Sequence, residues 1–458
     1  VGIGTTNPDL TVGVGNTAVL AVGIVSAYQL YGDGSNLSGL SGFSPTSGSD
    51  GLENLYAGTG AGAASDTDTC YNIGLGCNTL KALNEGDLNI AIGCDAGLAL
   101  TSGFQNILIG YNAGKALTTS AKNTFIGHES GEDNTTGVKN TFLGLNSGKY
   151  NISGGYNVYM GNYAARCMCS GSQNVAIGND ALLGSTTPAN NTGGGNVAIG
   201  HGAMTLVTSA ARNVVIGYCP AKSITSGTCN VILGDNAASS LTTGSCNVIL
   251  GACAGGGANF TGEHNVFAGT YAGKSLTSGE DNVMIGRGAG QNGTITGDQN
   301  TMVGSYAGKS LTSGARNIAL GRCSACNLST GSDNILGGWF AGKCLGSGNY
   351  NVMLGYRAAT NMTGNSNVAL GPDAALFMQG GNYNIAIGYY ALRGEEGDAN
   401  GGCNIGIGCH TGNDLTDGDN NVFLGHSVGC TITTGCCNVI IGHKHQAPSI
   451  TGNTQFSI

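Results

Sequence analysis

The chain has 458 residues and a net charge of −9, with 17 Lys plus Arg against 26 Asp plus Glu. Its basic residues are too few and too thinly spread to neutralise a phosphate backbone, which excludes nucleic acid as a partner. No apolar run approaches the roughly 20 residues of a membrane-spanning helix, so membrane insertion is not expected.

Gly at 84 residues and charged residues at 9% would suit low-complexity disorder. Regularly spaced Val and Ile argue against it, because they give each segment something to bury. Six Pro are too few for a collagen-like or polyproline chain.

Residues 1–50 read as an N-terminal β-rich connector. Val1 to Gly4 and Leu10 to Val14 form short strands on either side of a turn at Asn7-Pro8, and 41–50 is a linker. The apolar stretch 18–25 is too short, and lacks the basic flank, for a signal peptide.

Residues 51–443 are a repeat array. The pattern Asn, three mostly apolar residues, Gly begins at Asn54 and recurs through Asn438, giving 23 copies. Of the 22 intervals 16 are 17 residues long, a period that predicts a β-solenoid with one coil per repeat. Residues 444–458 are expected to leave the array.

Numbering the repeat Asn as position one, position two is Val, Ile or Leu in 20 coils and Thr in the other three. Position four is Ile, Leu, Met or Val in 20. Strand alternation puts these two columns on one face, read here as the interior, and position three on the other. Position three holds Leu108, Phe125, Phe142, Ile232, Ile249, Phe267 and Met284 among others, and never a charge.

An outward stripe of that kind, about 110 Å long at ~4.8 Å per coil, would expose on the order of 1,000 Å² of apolar surface. A typical monomer's largest patch is about 300–600 Å². The expectation is therefore that a second copy of the chain covers position three.

Gly at position five suits positive φ or close backbone approach. Ala at position eight suits a small space beneath the next coil. The recurrent Leu-Thr-Ser-Gly or Leu-Thr-Thr-Gly adds one inward residue and a turn. Stacked Asn side chains are expected to hydrogen-bond the backbone of neighbouring coils.

Asn174-Val-Ala-Ile-Gly178, Asn196-Val-Ala-Ile-Gly200 and Asn384-Ile-Ala-Ile-Gly388 resemble the core motif of YadA-type trimeric adhesin heads. That resemblance implies a left-handed parallel β-roll with three chains around an axis. The array, with Val1 to Pro8 and Gly32 to Gly39, is also similar to tail-fibre and related virion proteins of phages.

The combined expectation is an all-β, elongated, homotrimeric parallel β-solenoid of about 23 coils. It would act without enzymatic activity or cofactor as a fibre on the virion surface, bound to other virion proteins and attached to a host-surface glycan or protein. A bacterial surface adhesin is the alternative. A glycan-cleaving spike and an ice-binding solenoid are weaker readings.

Candidate contact residues lie in the two longest coils, because extra length must project from a stack. They are Thr187, Asn190 and Asn191 in one, and Glu395, Glu396 and Asp398 in the other. The carboxylates are also the nearest approach to a glycan-cleaving pair.

The remaining features have simpler readings. His443-Lys444-His445 and His128-Glu129 are read as surface groups rather than metal ligands. The Thr file at position thirteen (Thr101, Thr118, Thr225, Thr242, Thr277, Thr312, Thr433) is read as turn chemistry rather than an ice-binding face.

Asn134, Asn259 and Asn361 fit a glycosylation sequon, a match expected by chance in so Asn-rich a chain. The 17 Cys are read as thiols. In-register pairs such as Cys77 with Cys94, or Cys229 with Cys246, point the same way and bridge poorly. Cys167/Cys169 and Cys323/Cys326 lack the second pair that zinc needs.

Overall fold

The computed structural model describes Ser44–Pro45 and residues 53–458 apart from 67, 258 and 398. The connector expected over residues 1–50 lies outside the described residues except for Ser44–Pro45. From Leu55–Ala57 to Phe456–Ser457, 24 short strands stack into one parallel sheet. Each strand is three residues long except the last, which has two, and pairing is in register, as in Val231↔Val248, Ile232↔Ile249 and Leu233↔Leu250. Ser44–Pro45 pairs antiparallel with Leu55–Ala57. The segment 444–458 carries one more rung, Phe456–Ser457, against Val439–Ile441.

Backbone N–H groups point alternately to the coil above and the coil below. In the coil that begins at Asn230, Val231, Ala238 and Thr242 donate to the following coil. Gly234, Asn236 and Cys246 donate to the preceding one. The stack therefore satisfies turn as well as strand groups.

The repeat Asn completes this scheme, and all 23 are buried. Asn230 Nδ2 donates to Gly244 O at 2.9 Å, tying the two ends of its own coil together. Its Oδ1 accepts the Asn247 backbone N–H at 2.9 Å and the Asn247 Nδ2 at 3.0 Å. Two glycine columns allow the coils to approach this closely. A Cβ at Gly234 (φ +143°) would lie 2.5 Å from Gly251 O, and one at Gly244 2.3 Å from Gly262 O.

The facing of the strands is the reverse of the sequence expectation. Leu108, Phe125, Phe142, Ile232, Ile249, Phe267 and Met284 are fully buried inside their own coils, so position three cannot be where another copy docks. Positions two and four look outward, with Ile335 42% and Leu320 46% exposed. Alternation separates two faces without saying which is inside, and here both are apolar.

The interior is narrow, and position three shares it with position nine. Where position three is large, position nine is mostly Gly, as in Phe142/Gly148, Phe267/Gly273 and Met302/Gly308. A Cβ at these glycines would meet the large side chain at 2.5–2.8 Å. In four of the eight coils where position three is Gly or Ala, position nine grows, as in Gly74/Leu80, Ala176/Leu182, Ala198/Met204 and Ala386/Leu392. Phe125, Phe142 and Tyr159 stack at 4.6 Å between centroids along the axis.

Asn230→Leu should lower stability by about 1–3 kcal/mol, because the Gly244 carbonyl and the Asn247 N–H lose their partner in a buried site. An unchanged denaturation midpoint would refute the ladder's role. Phe267→Ala is expected to cost about 3–5 kcal/mol and Gly273→Leu about 1–3 kcal/mol. Combined, they should cost at least ~1 kcal/mol less than their sum, since Leu already occupies this left-handed position at Leu80, Leu182 and Leu392. Additive costs in the double-mutant cycle would exclude volume sharing.

Candidate functional site

The outward side of the sheet is the largest candidate surface. Columns two and four carry no charged residue, and all 17 Lys and Arg fall at positions six, seven, ten or seventeen. Exposed aromatics border the face on both sides. Tyr111, Tyr218, Trp339, Tyr356 and Tyr389 stand in column six, and Tyr71, Tyr156, Tyr350 and Tyr383 immediately before the next repeat Asn. Cations lie over several of these rings, with Arg322 5.2 Å from the Trp339 centroid and Lys139 4.7 Å from that of Tyr156.

The densest charged cluster spans adjacent coils at the position-ten edge. Lys149 Nζ reaches Glu129 Oε2 at 2.6 Å and Glu132 Oε2 at 2.9 Å, and Asn112 Nδ2 donates to Glu132 Oε1 at 2.9 Å. His128 Nδ1 is 3.9 Å from Glu129. Glu129 is thus part of an ion-pair network rather than an isolated surface acid. The Lys149 hydrogen bond holds the Glu129 carboxyl below its ordinary pKa. Burial, and then the neighbouring Glu132 charge, push Asp133 above its ordinary value.

The loop candidates divide. Thr187 and Asn190 are exposed in the projection that carries the short 3₁₀ turn Pro188–Asn190. Asn191 is buried and pegs the loop base, donating to Cys167 O at 2.8 Å and Ser185 O at 2.9 Å. It is therefore unavailable to a partner, since its amide is already committed within the fold. Glu395 and Glu396 are exposed; Asp398 lies outside the described residues.

His443 stacks on His426 at 5.1 Å, and His445 Nε2 contacts Ser457 Oγ at 2.6 Å. Among the described residues no group of three His, Cys, Asp or Glu could hold a metal ion. Cys77, Cys94, Cys229, Cys246, Cys167, Cys169, Cys323 and Cys326 are thiols. Burial, with the nearby Cys323, pushes the Cys326 thiol up to about 11, which disfavours the thiolate a metal would need.

Thr101, Thr118, Thr225, Thr242, Thr277 and Thr312 donate their hydroxyls to carbonyls of the next coil at 3.0–3.3 Å. This third ladder occupies the donors that an ice-ordering face would present. Asn134 is fully buried, so its sequon is closed to modification in the folded chain.

A further file was missed from the sequence. Two residues before each repeat Asn, at position sixteen, a side-chain oxygen often accepts the N–H of the equivalent residue one coil earlier. Examples are Ser332 N–H to Asn349 Oδ1 at 2.7 Å, Asn349 N–H to Asn365 Oδ1 at 2.9 Å and Asn365 N–H to Asn382 Oδ1 at 2.7 Å. The recurrent Asn, Asp and Ser at that place were the available signal. The file lapses in several coils; at one lapse, Gly402, a groove of about 340 Å³ opens, lined by Asn382, Tyr383, Asn400, Gly402, Cys403, Asp419 and Asn420.

No helix among the described residues is long and apolar enough to cross a membrane. Compared with protein-family models and with curated proteins, the sequence finds no match in either.

Glu129, with its lowered pKa, contributes stability that is present above the unfolded carboxylate pKa and lost as pH falls through the folded value. Asp133, with its raised pKa, works in the opposite sense, and its share grows as pH falls through its folded value. Lys149→Met should cost about 1 kcal/mol at pH 7 and flatten the acid-side loss. Stability measured from pH 7 to 3 would show no difference from the parent if the network were inert.

Proposed function

We propose that the chain is a non-enzymatic structural shaft, a fibre segment of a phage virion, in which three copies pack side by side through columns two and four. The outward apolar face carries this reading. It is free of charge over its whole length and rimmed by aromatics and cations, the distribution found in protein interfaces. At about 110 Å by ~10 Å it offers on the order of 1,000 Å² per chain, against ~800 Å² per partner in a standard interface.

Bending the stack would stretch backbone bonds and apolar contacts at every coil, and this suits a stiff spacer. The threefold number and the virion location rest on the sequence resemblance. A bacterial adhesin head would use the same face and differ in what the chain is joined to.

Native mass measurement is expected to find a trimer, and a well-behaved monomer would remove the reading. The paired substitution Val248→Lys with Leu250→Lys should disperse the assembly and leave the coils folded. Ile249→Lys, which puts an ammonium into the interior, should unfold the neighbouring coils instead. Equal behaviour of the two variants would contradict the facing on which the interface depends.

A further inference from the structure

The groove at Gly402 lies at one interruption of the position-sixteen file, with a rung that keeps it on either side. One coil earlier, Asn365 N–H donates to Asn382 Oδ1 at 2.7 Å, and one coil later Gly402 N–H donates to Asp419 Oδ1 at 2.6 Å. The intervening donor, Asn382 N–H, has no side chain to meet and makes no hydrogen bond among the described residues. Gly402 is not required by backbone conformation. It has no positive φ, and an added Cβ would approach nothing closer than Asn382 O at 3.2 Å. The missing side chain is replaced by open space, and the donor beside it is left unsatisfied.

The other groups around the space are also uncommitted. Asp419 uses Oδ1 in the file and leaves Oδ2 without a partner among the described residues. Asn400 accepts the Gly380 N–H with its Oδ1 at 3.0 Å, and its amide NH₂ remains unused. Tyr383, 64% exposed, presents its ring at one side. The groove thus combines a flat apolar face, a carboxylate acceptor, an amide donor and a fixed backbone donor, in a volume at the lower end of the range for small-molecule sites, about 300–1,000 Å³.

We propose that this groove binds a neutral sugar ring, as a residue of a glycan. The C–H face of the ring would lie on Tyr383. A hydroxyl would donate to Asp419 Oδ2, and a hydroxyl or acetamide oxygen would accept from Asn382 N–H and the Asn400 amide. Both kinds of group are needed to leave no buried polar atom unpaired. The Asp419 charge disfavours an acidic sugar at the same place. The groove is formed within one chain, so the proposal adds an attachment point to the shaft reading and does not depend on it.

The test is titration of the full chain with N-acetylglucosamine, galactose and glucuronate, followed by saturation-transfer NMR. Saturable binding of at least one neutral sugar, weak as suits a single ring, and weaker binding of glucuronate are expected. Gly402→Asn should supply the missing acceptor and fill the groove, weakening sugar binding about tenfold or more. Its unfolding midpoint should hold or rise, so lost binding cannot be ascribed to misfolding. Tyr383→Ala should weaken binding similarly. The proposal is overturned if neither neutral sugar saturates, if glucuronate is preferred, or if Gly402→Asn binds as the parent does. Failure of the shaft reading would appear separately, as a monomer in native mass measurement.

Discussion

Close stacking of backbone on backbone, at one coil per step, is the constraint from which the rest of this molecule follows. Peptide groups around the whole coil, corners included, find partners in the coil above or below. Such contact requires that no Cβ intrude where carbonyls face the next coil, and the glycine columns at positions five and fifteen meet that requirement. The corner Asn then absorbs the groups that the stack leaves over, through Oδ1 to the next coil and Nδ2 to the far end of its own. A leucine of similar size would fill the space and satisfy none of them.

A coil held this tightly encloses little volume, and that decides the side-chain chemistry. Position three, position nine, the Ala at position eight and the residue at position twelve, apolar in most coils, occupy it with buried side chains. There is no room for columns two and four, so their Val, Ile and Leu face outward although they are the most regular apolar residues in the chain. Surface hydrophobics scattered singly need no explanation, whereas an unbroken file does. The charged residues stay out of that file, and several cations sit over tyrosines, phenylalanines and the single tryptophan.

The period, the parallel strands, the buried Asn and the role of the Gly after each strand were legible in the sequence, because each depends on residues a fixed number of places apart. The facing was not, since alternation is silent about the inside when both faces are apolar. A partial clue was the reciprocal sizing of positions three and nine in many coils, visible in Gly74/Leu80 and in Phe142/Gly148. The Lys149 network escaped notice because column ten holds mostly unpaired or uncharged residues elsewhere, and its third member, Glu129, stands in another column 20 residues away. The groove escaped for a different reason. It arises where the sixteenth-column file is interrupted, and an interruption is visible only once the file itself has been recognised.

One coil carries glycine at both of its volume-sharing places, Gly406 and Gly412. The space they leave is taken by Leu392 reaching in from the coil before and Phe423 from the coil after. If that coil were looped out and its neighbours closed up, two large side chains would compete for one cavity. A chain of two dozen nearly identical rungs has many ways to assemble with one skipped, each preserving almost every backbone bond. A mismatch of this kind would give that rung an address, so that its place in the order rests on crowding in the interior as well as on the repeated motif.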